Sequence, residues 1–343
     1  MQNVRSPTRV FVSLVLACSL GLAGYLYRVK ARTFASRTTG ARAGASWRTF
    51  TGPLAVPNIV FRYVGVDEDY GKLAVVVRDD VRAPRFIDRL SCDVVHFAAG
   101  RGICLTANRG VLTTYAATIF DAMQTPLSTI PLRGEPSRCR MSRDGRLAAF
   151  TVFVSGHSYS SLDFSTETLL VDAASGATLA NVEAFDVTRN GQPFRAKDFN
   201  FWGVSFTPDS KRFYCTLSTN RMQYLVEGNI ATRTASVVHD NVECPSVSPD
   251  GLRIAYKKRL MVDRRVVWQL HVLDLAGMRE TPLRETRSVD DQLEWLDNDH
   301  VLYAVSDNPA GSSASTDVWV ADAGGLTAPH LFLAKAYSPA VVR

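Results

Sequence analysis

The phrase Ser248-Pro249-Asp250-Gly251, followed by the strand-like run Leu252-Arg253-Ile254-Ala255-Tyr256, constrains this chain more than any other feature, because it recurs. Weaker copies stand at Ser142-Arg143-Asp144-Gly145, before Arg146 to Phe150, and at Thr207-Pro208-Asp209-Ser210, before Lys211 to Tyr214. Degenerate turns at Gly100-Arg101-Gly102 and Asp297-Asn298-Asp299 also lead into apolar segments. A unit repeating at intervals of tens of residues implies a solenoid, a propeller or an array.

A second landmark moves in step with the first. It is an apolar strand that ends in an acid and a small-residue turn, as in Ile119-Phe120-Asp121, Leu170-Val171-Asp172, Leu225-Val226-Glu227, Val272-Leu273-Asp274 and Ala321-Asp322. Counting Val76-Val77-Arg78-Asp79 as the earliest case, the steps from Asp79 are 42, 51, 55, 47 and 48 residues. Asp-Gly turns join strands because Gly accepts positive φ and Asp bonds to nearby backbone. The intervening runs are rich in Val, Ile, Phe, Tyr and Trp, and Trp268-Gln269-Leu270-His271-Val272 alternates with period two. Sheets of this kind cannot bury both faces alone, whereas radial packing covers each with its neighbour.

The expected fold is therefore all-β: a six-bladed β-propeller of four-stranded antiparallel blades, preceded by one N-terminal hydrophobic helix. Blade one takes Asn58–Val64, Lys72–Val77 and Arg85–Arg89; the others span roughly 91–134, 135–186, 198–240, 241–286 and 290–334. Blade one lacks a strand. The segment Ala336–Val342 reads like the inner-strand run Glu243–Val247 and is the expected donor, with Trp47–Phe50 as the alternative.

The repeat resembles the WD40-like repeat of TolB-type six-bladed bacterial propellers. Longer stretches resemble TolB-like translocation proteins: Thr151 to Gly156, Asn200-Phe201-Trp202-Gly203-Val204, and Asn241 to Ser246. The resemblance covers about 58–343 and implies an exported domain.

Val10 to Tyr27 is an 18-residue stretch without a charge, preceded by Arg5 and Arg9 and followed by Arg28, Lys30 and Arg32. Its length suits a short membrane span or a long signal-peptide core. Residues 1–30 are thus expected to be a signal-anchor or a cleaved signal peptide, residues 31–46 a flexible basic linker, and 47–343 the propeller. Basic residues after the span favour a cytoplasmic propeller by the positive-inside rule, while export is what the resemblance implies; the extracytoplasmic side is the expectation adopted. The formal charge is +6, but the first fifty residues contain no acid and much of the basic excess. The remainder is slightly acidic, which argues against a nucleic-acid partner and fits a juxtamembrane basic segment.

Six cysteines are present, one of them, Cys18, in the apolar run. Cys92 and Cys104 flank the Gly100–Gly102 turn and form a candidate disulfide in an oxidising compartment; the other reading makes every cysteine a small buried hydrophobe. Zinc-type Cys-x-x-Cys, His-Glu-x-x-His, Gly-x-Ser-x-Gly and phosphate-loop patterns are all missing. No catalytic, cofactor or metal residue is assigned.

Two polar and aromatic insertions interrupt the repeat. One runs from Ser155 to Thr168 and carries His157, Tyr159 and Phe164; the other, Arg195 to Trp202, carries Phe199, Phe201 and Trp202. Long loops on a rigid scaffold are where binding concentrates, so these six residues are candidate partner contacts, packing between blades being the alternative for Phe199, Phe201 and Trp202. The functional expectation is a membrane-anchored, extracytoplasmic scaffold for an envelope protein or peptide. The alternatives are a lactonase- or lyase-like enzyme with a metal in the central channel, and a carbohydrate or ligand sensor.

Overall fold

The three Asp-type turns close with one hydrogen-bond pattern. Gly251 N donates to Ser248 O (2.9 Å), Leu252 N to Asp250 Oδ1 (3.0 Å), and Arg253 N to Ser248 Oγ (3.0 Å). Gly145, Arg146 and Leu147 repeat this on Ser142 and Asp144, as do Ser210, Lys211 and Arg212 on Thr207 and Asp209. Gly145 and Gly251 take positive φ, as the turn requires; Ser210 adopts φ 57° in the same place without being glycine.

A computed structural model describes residues 52–156, 164–306 and 315–343 apart from Pro84, with Gly21 and the backbone of Arg48 and Thr49. Six sheets form the blades. Blade two is typical, with strands Val94–Ala98, Arg101–Arg109, Thr113–Asp121 and Pro126–Leu132 paired antiparallel in sequence order. Blade three runs Glu135–Met141 to Thr178–Asn181, blade five Glu243–Val247 to Glu280–Pro282, and blade six Glu294–Trp295 to His330–Leu333. Apolar residues between blades form the core: Ile59, Phe61 and Val76 of blade one pack with Leu302, Val318 and Val320 of blade six.

Blade one joins the two ends of the propeller sequence. Strand Ala336–Val341 pairs with Asn58–Tyr63 and supplies the missing inner strand. Arg48–Thr49, the alternative donor, instead pairs parallel with Phe86–Ser91 on the outer edge. Blade four departs from four strands. Its strands Asn200–Phe206, Arg212–Thr219, Met222–Asn229 and Thr234–Asp240 are extended by a hairpin, Asp186–Arg189 and Gln192–Pro193, that adds in parallel to the outer strand. The hairpin turns on Asn190-Gly191, both at positive φ, the geometry of a two-residue primed turn. Gly203 is another forced position: its φ is +68°, and a Cβ there would lie 2.9 Å from the Cα of Cys244 in the next blade.

The inner strands of blades three to five run toward the Asp-type turns, and those of blades two and six toward their degenerate counterparts, so these turns share one face of the ring, here the turn face. The hairpins between the second and third strands share the other, the hairpin face. Among the described residues no helix is long and apolar enough to cross a membrane. The apolar run Val10–Tyr27 and the linker 31–46 lie outside the described residues, Gly21 excepted.

Candidate functional site at the turn-face mouth of the channel

The repeat registers the inner strands so that equivalent positions meet at the axis. Two residues before the turn-opening Ser142, Thr207 and Ser248 stand Arg140, Ser205 and Ser246, on blades three to five, and near the ends of the inner strands of blades two and six stand His96 and Glu294. All five line one funnel, joined by Val341 and Arg343 from the blade-one end. Its wall includes Phe97, Phe206, Val247 and Trp295, and it leaves about 80 Å³ of space.

The floor is an ionic knot. Glu294 accepts hydrogen bonds from Arg140 Nη1, from Arg343 Nη1 (2.9 Å) and from Val341 N (3.4 Å). Arg140 Nη2 also donates to Leu293 O (3.0 Å) and Ser246 Oγ (3.4 Å), while its Nε is buried without a partner. Burial alone would raise the Glu294 carboxyl, but Arg140 and Arg343, with His96, outweigh it and hold it well below the usual range.

His96 is fixed in one tautomer. Its Nδ1 accepts from Met141 N (3.1 Å), so neutral imidazole carries its proton on Nε2, which faces Glu294 Oε2 at 3.6 Å. Burial, then the Arg140 charge, lowers its pKa to about 4 against the pull of Glu294. At neutral pH this ring is uncharged and offers the funnel no lone pair. Glu294, fully engaged, is a weak base. The chemistry that remains is charge recognition: Arg140, Arg143 and Arg343 set three guanidiniums against one carboxylate at this mouth.

The connector from blade five to blade six blocks the channel below. Gln292 Nε2 reaches Pro245 O (3.2 Å) and lies 3.4 Å from Val204 O, spanning from blade six to the inner strands of blades five and four. Beside it Asp291 accepts from Ala304 N (2.8 Å), and burial raises its carboxyl pKa. Only about 20 Å³ of space remains at this level.

The residues singled out in the sequence lie elsewhere. Phe201 and Trp202 are fully buried: Phe201 packs in the core between blades three and four, and Trp202 meets Phe153 and Cys244. Neither presents a surface to a partner, because the aromatic run forms an inner strand with both faces covered. Phe164 is half-buried edge-on against Trp202, with ring centres 5.7 Å apart, and Phe199 is half-buried against Phe194 and Phe201. His157 and Tyr159 lie outside the described residues. Cys92 and Cys104 are bonded to each other, with Cα atoms 5.3 Å apart, while Cys139, Cys215 and Cys244 are buried thiols. Among the described residues, no group of three or more His, Cys, Asp or Glu is placed to hold a metal.

Sequence reasoning missed the funnel. A signal was present in the register: two positions before the turn-opening Ser142, Thr207 and Ser248 the repeat carries the polar residues Arg140, Ser205 and Ser246.

No family model matches the chain, and no curated protein matches it. Solved structures do share its shape. TolB from Acinetobacter baumannii superposes with a TM-score of 0.57 at 17% identity, over 84% of this chain and 67% of that one. A chain of the nidogen/laminin complex gives 0.53 at 10% identity, over 83% and 97%. A putative TolB from Agrobacterium tumefaciens gives 0.50 at 11% identity, over 84% and 92%. At such identities the shared property is the fold: this chain is a six-bladed β-propeller similar in shape to TolB.

Proposed function

We propose that this propeller works by binding, and that its turn-face mouth takes an acidic or carboxylate-ended segment of another protein. One observation carries the reading: six blades converge on a funnel with an apolar wall, where three guanidiniums outnumber one carboxylate. Guanidiniums suit carboxylates because their paired N–H groups match both oxygens. Arg143 is exposed at the rim, Arg343 is partly exposed, and Arg140 keeps a buried Nε without a partner. Support against a hydrolytic or lyase role comes from His96 and Glu294, neither of which is free to move a proton at neutral pH. The fold is compatible with a binding role, since propellers of similar shape occur in TolB proteins and in a nidogen/laminin complex. The apolar run Val10–Tyr27 completes the reading as a membrane anchor that holds the propeller on the extracytoplasmic side.

A photo-crosslinking residue placed at Arg143 in the full chain tests this in cells, with exposed Leu127 on an outer strand as the control position. The expected result is one protein captured from the mouth and not from the edge, with capture at least fivefold lower in Arg343→Gln. Equal capture from both positions, or capture indifferent to Arg343, would sink the proposal.

A further inference from the structure

The hairpin face has its own mouth, a separate cavity of about 360 Å³. That lies at the low end of the roughly 300–1,000 Å³ range of small-molecule sites. Gln292 and the tight level around it stand between this cavity and the turn-face funnel. Blades one, two and three and the connector into blade six all contribute to the wall.

The wall is divided by chemistry. On the side of blades one and two, Arg62 is held by Asp93: Nη2 lies 3.3 Å from Oδ1, and Nη1 donates to Asp93 O at 3.3 Å. Its Nε is buried and makes no hydrogen bond. Arg109 stands beside it, 3.5 Å from Asp93 and two-thirds exposed. Tyr337, from blade one's inner strand, turns its hydroxyl to no hydrogen-bond partner among the described residues, and burial pushes its pKa up to about 12, so it stays a neutral donor. Opposite, the connector brings Asp290. Its Oδ1 is taken by Lys257 and lies 3.6 Å from Arg138 Nη2, while the carboxylate remains partly exposed.

Unused donors thus lie on one side and an accessible carboxylate on the other. A ligand with only negative charge would meet Asp93, Glu135 and Asp290; one with only positive charge would meet the guanidiniums of Arg62, Arg109 and Arg138. We propose that the hairpin-face mouth binds a small zwitterion, a free amino acid or dipeptide. Its carboxylate lies toward Arg62, Arg109 and Tyr337, and its ammonium toward Asp290.

The test is calorimetric titration of the full chain with the twenty free amino acids and diglycine, each beside its N-acetyl and amide analogues. At least one zwitterion is expected to bind, with both single-charge analogues at least tenfold weaker. Tyr337→Phe should weaken that binding about tenfold while melting like the parent, because the hydroxyl it removes bonds to nothing in the protein. Asp290→Asn should weaken the ammonium contact, and Arg343→Gln, at the other mouth, should leave it unchanged. The proposal is overturned if no zwitterion binds, if a single-charge analogue binds as tightly, or if Tyr337→Phe binds as the parent does.

Discussion

Glu183 shows how one side chain can set the pH response of a fold. It sits in the short 3-10 turn Val182–Ala184, where the chain leaves blade three for the inserted hairpin. Its carboxyl accepts from Thr168 N (2.8 Å) and Thr166 Oγ1 (3.3 Å) on the blade-three strand. Burial raises its pKa to about 8, and these hydrogen bonds only partly oppose the rise. The native state therefore keeps a proton that the unfolded chain releases near pH 4.5, so this group's contribution to stability is lost as pH rises from about 4.5 to 8. His96 has the opposite sign: lowered to about 4, it costs stability as pH falls from about 6.5 toward 4. Glu183→Gln keeps an acceptor for Thr168 N and removes the titration. Its stability relative to the parent is expected to improve with pH across that window, by at most about 1.4 kcal/mol per unit, and to level off above about 8. Denaturant titrations at a series of pH values measure this, and parallel curves for the two proteins would refute it.

At the scale of elements, the strand Ala336–Val341 closes the ring. Ala336, Ala340, Val341 and Val342 are nearly fully buried, and the strand's partner is the first full strand of blade one. Two buried valines are worth about 1.5–3 kcal/mol each before ladder bonds are counted, a large part of the roughly 5–15 kcal/mol that holds a typical domain. Removing residues 334–343 is expected to abolish the cooperative thermal transition, and a peptide of that sequence added in trans to restore part of it. An unchanged melting curve would show that closure contributes little. This strand was legible because it copies the inner-strand run Glu243–Val247, and the blades were legible because turn and acid recur together. The hairpin that widens blade four was not foreseen, although Asn190-Gly191 announces it: an insertion has no counterpart in the other repeats. The aromatic run Phe199–Trp202 misled for a related reason. Composition marks it as unusual, but its outcome depends on which neighbour covers it, and Gly203 lets the Cys244 backbone come close enough to bury Trp202. The two mouths were hidden because their residues are far apart in sequence and become neighbours only when the ring closes.

Across the whole molecule, the knot under the turn-face funnel ties blades that share no sheet. Glu294 of blade six receives Arg140 of blade three and Arg343 from the blade-one end, while Arg140 also reaches Ser246 of blade five and His96 of blade two faces the same carboxylate. Trp295 Nε1 donates to Ser246 O (2.8 Å), adding a neutral tie between blades five and six. Removing one member of a buried ion pair leaves the other charge uncompensated, at a cost of about 3–5 kcal/mol, whereas replacing the pair with apolar residues of similar volume is often neutral. Glu294→Gln is therefore expected to destabilise the domain by about 3–5 kcal/mol in urea titrations, and Arg140→Met combined with Glu294→Leu to recover most of that loss. The same pair separates stability from binding. If the guanidiniums serve only to hold the ring, the apolar double variant should fold and still capture its partner at the Arg143 crosslinking position. If they recognise a carboxylate, it should fold and capture at least fivefold less, because a sound ring would then present a funnel without its buried guanidinium.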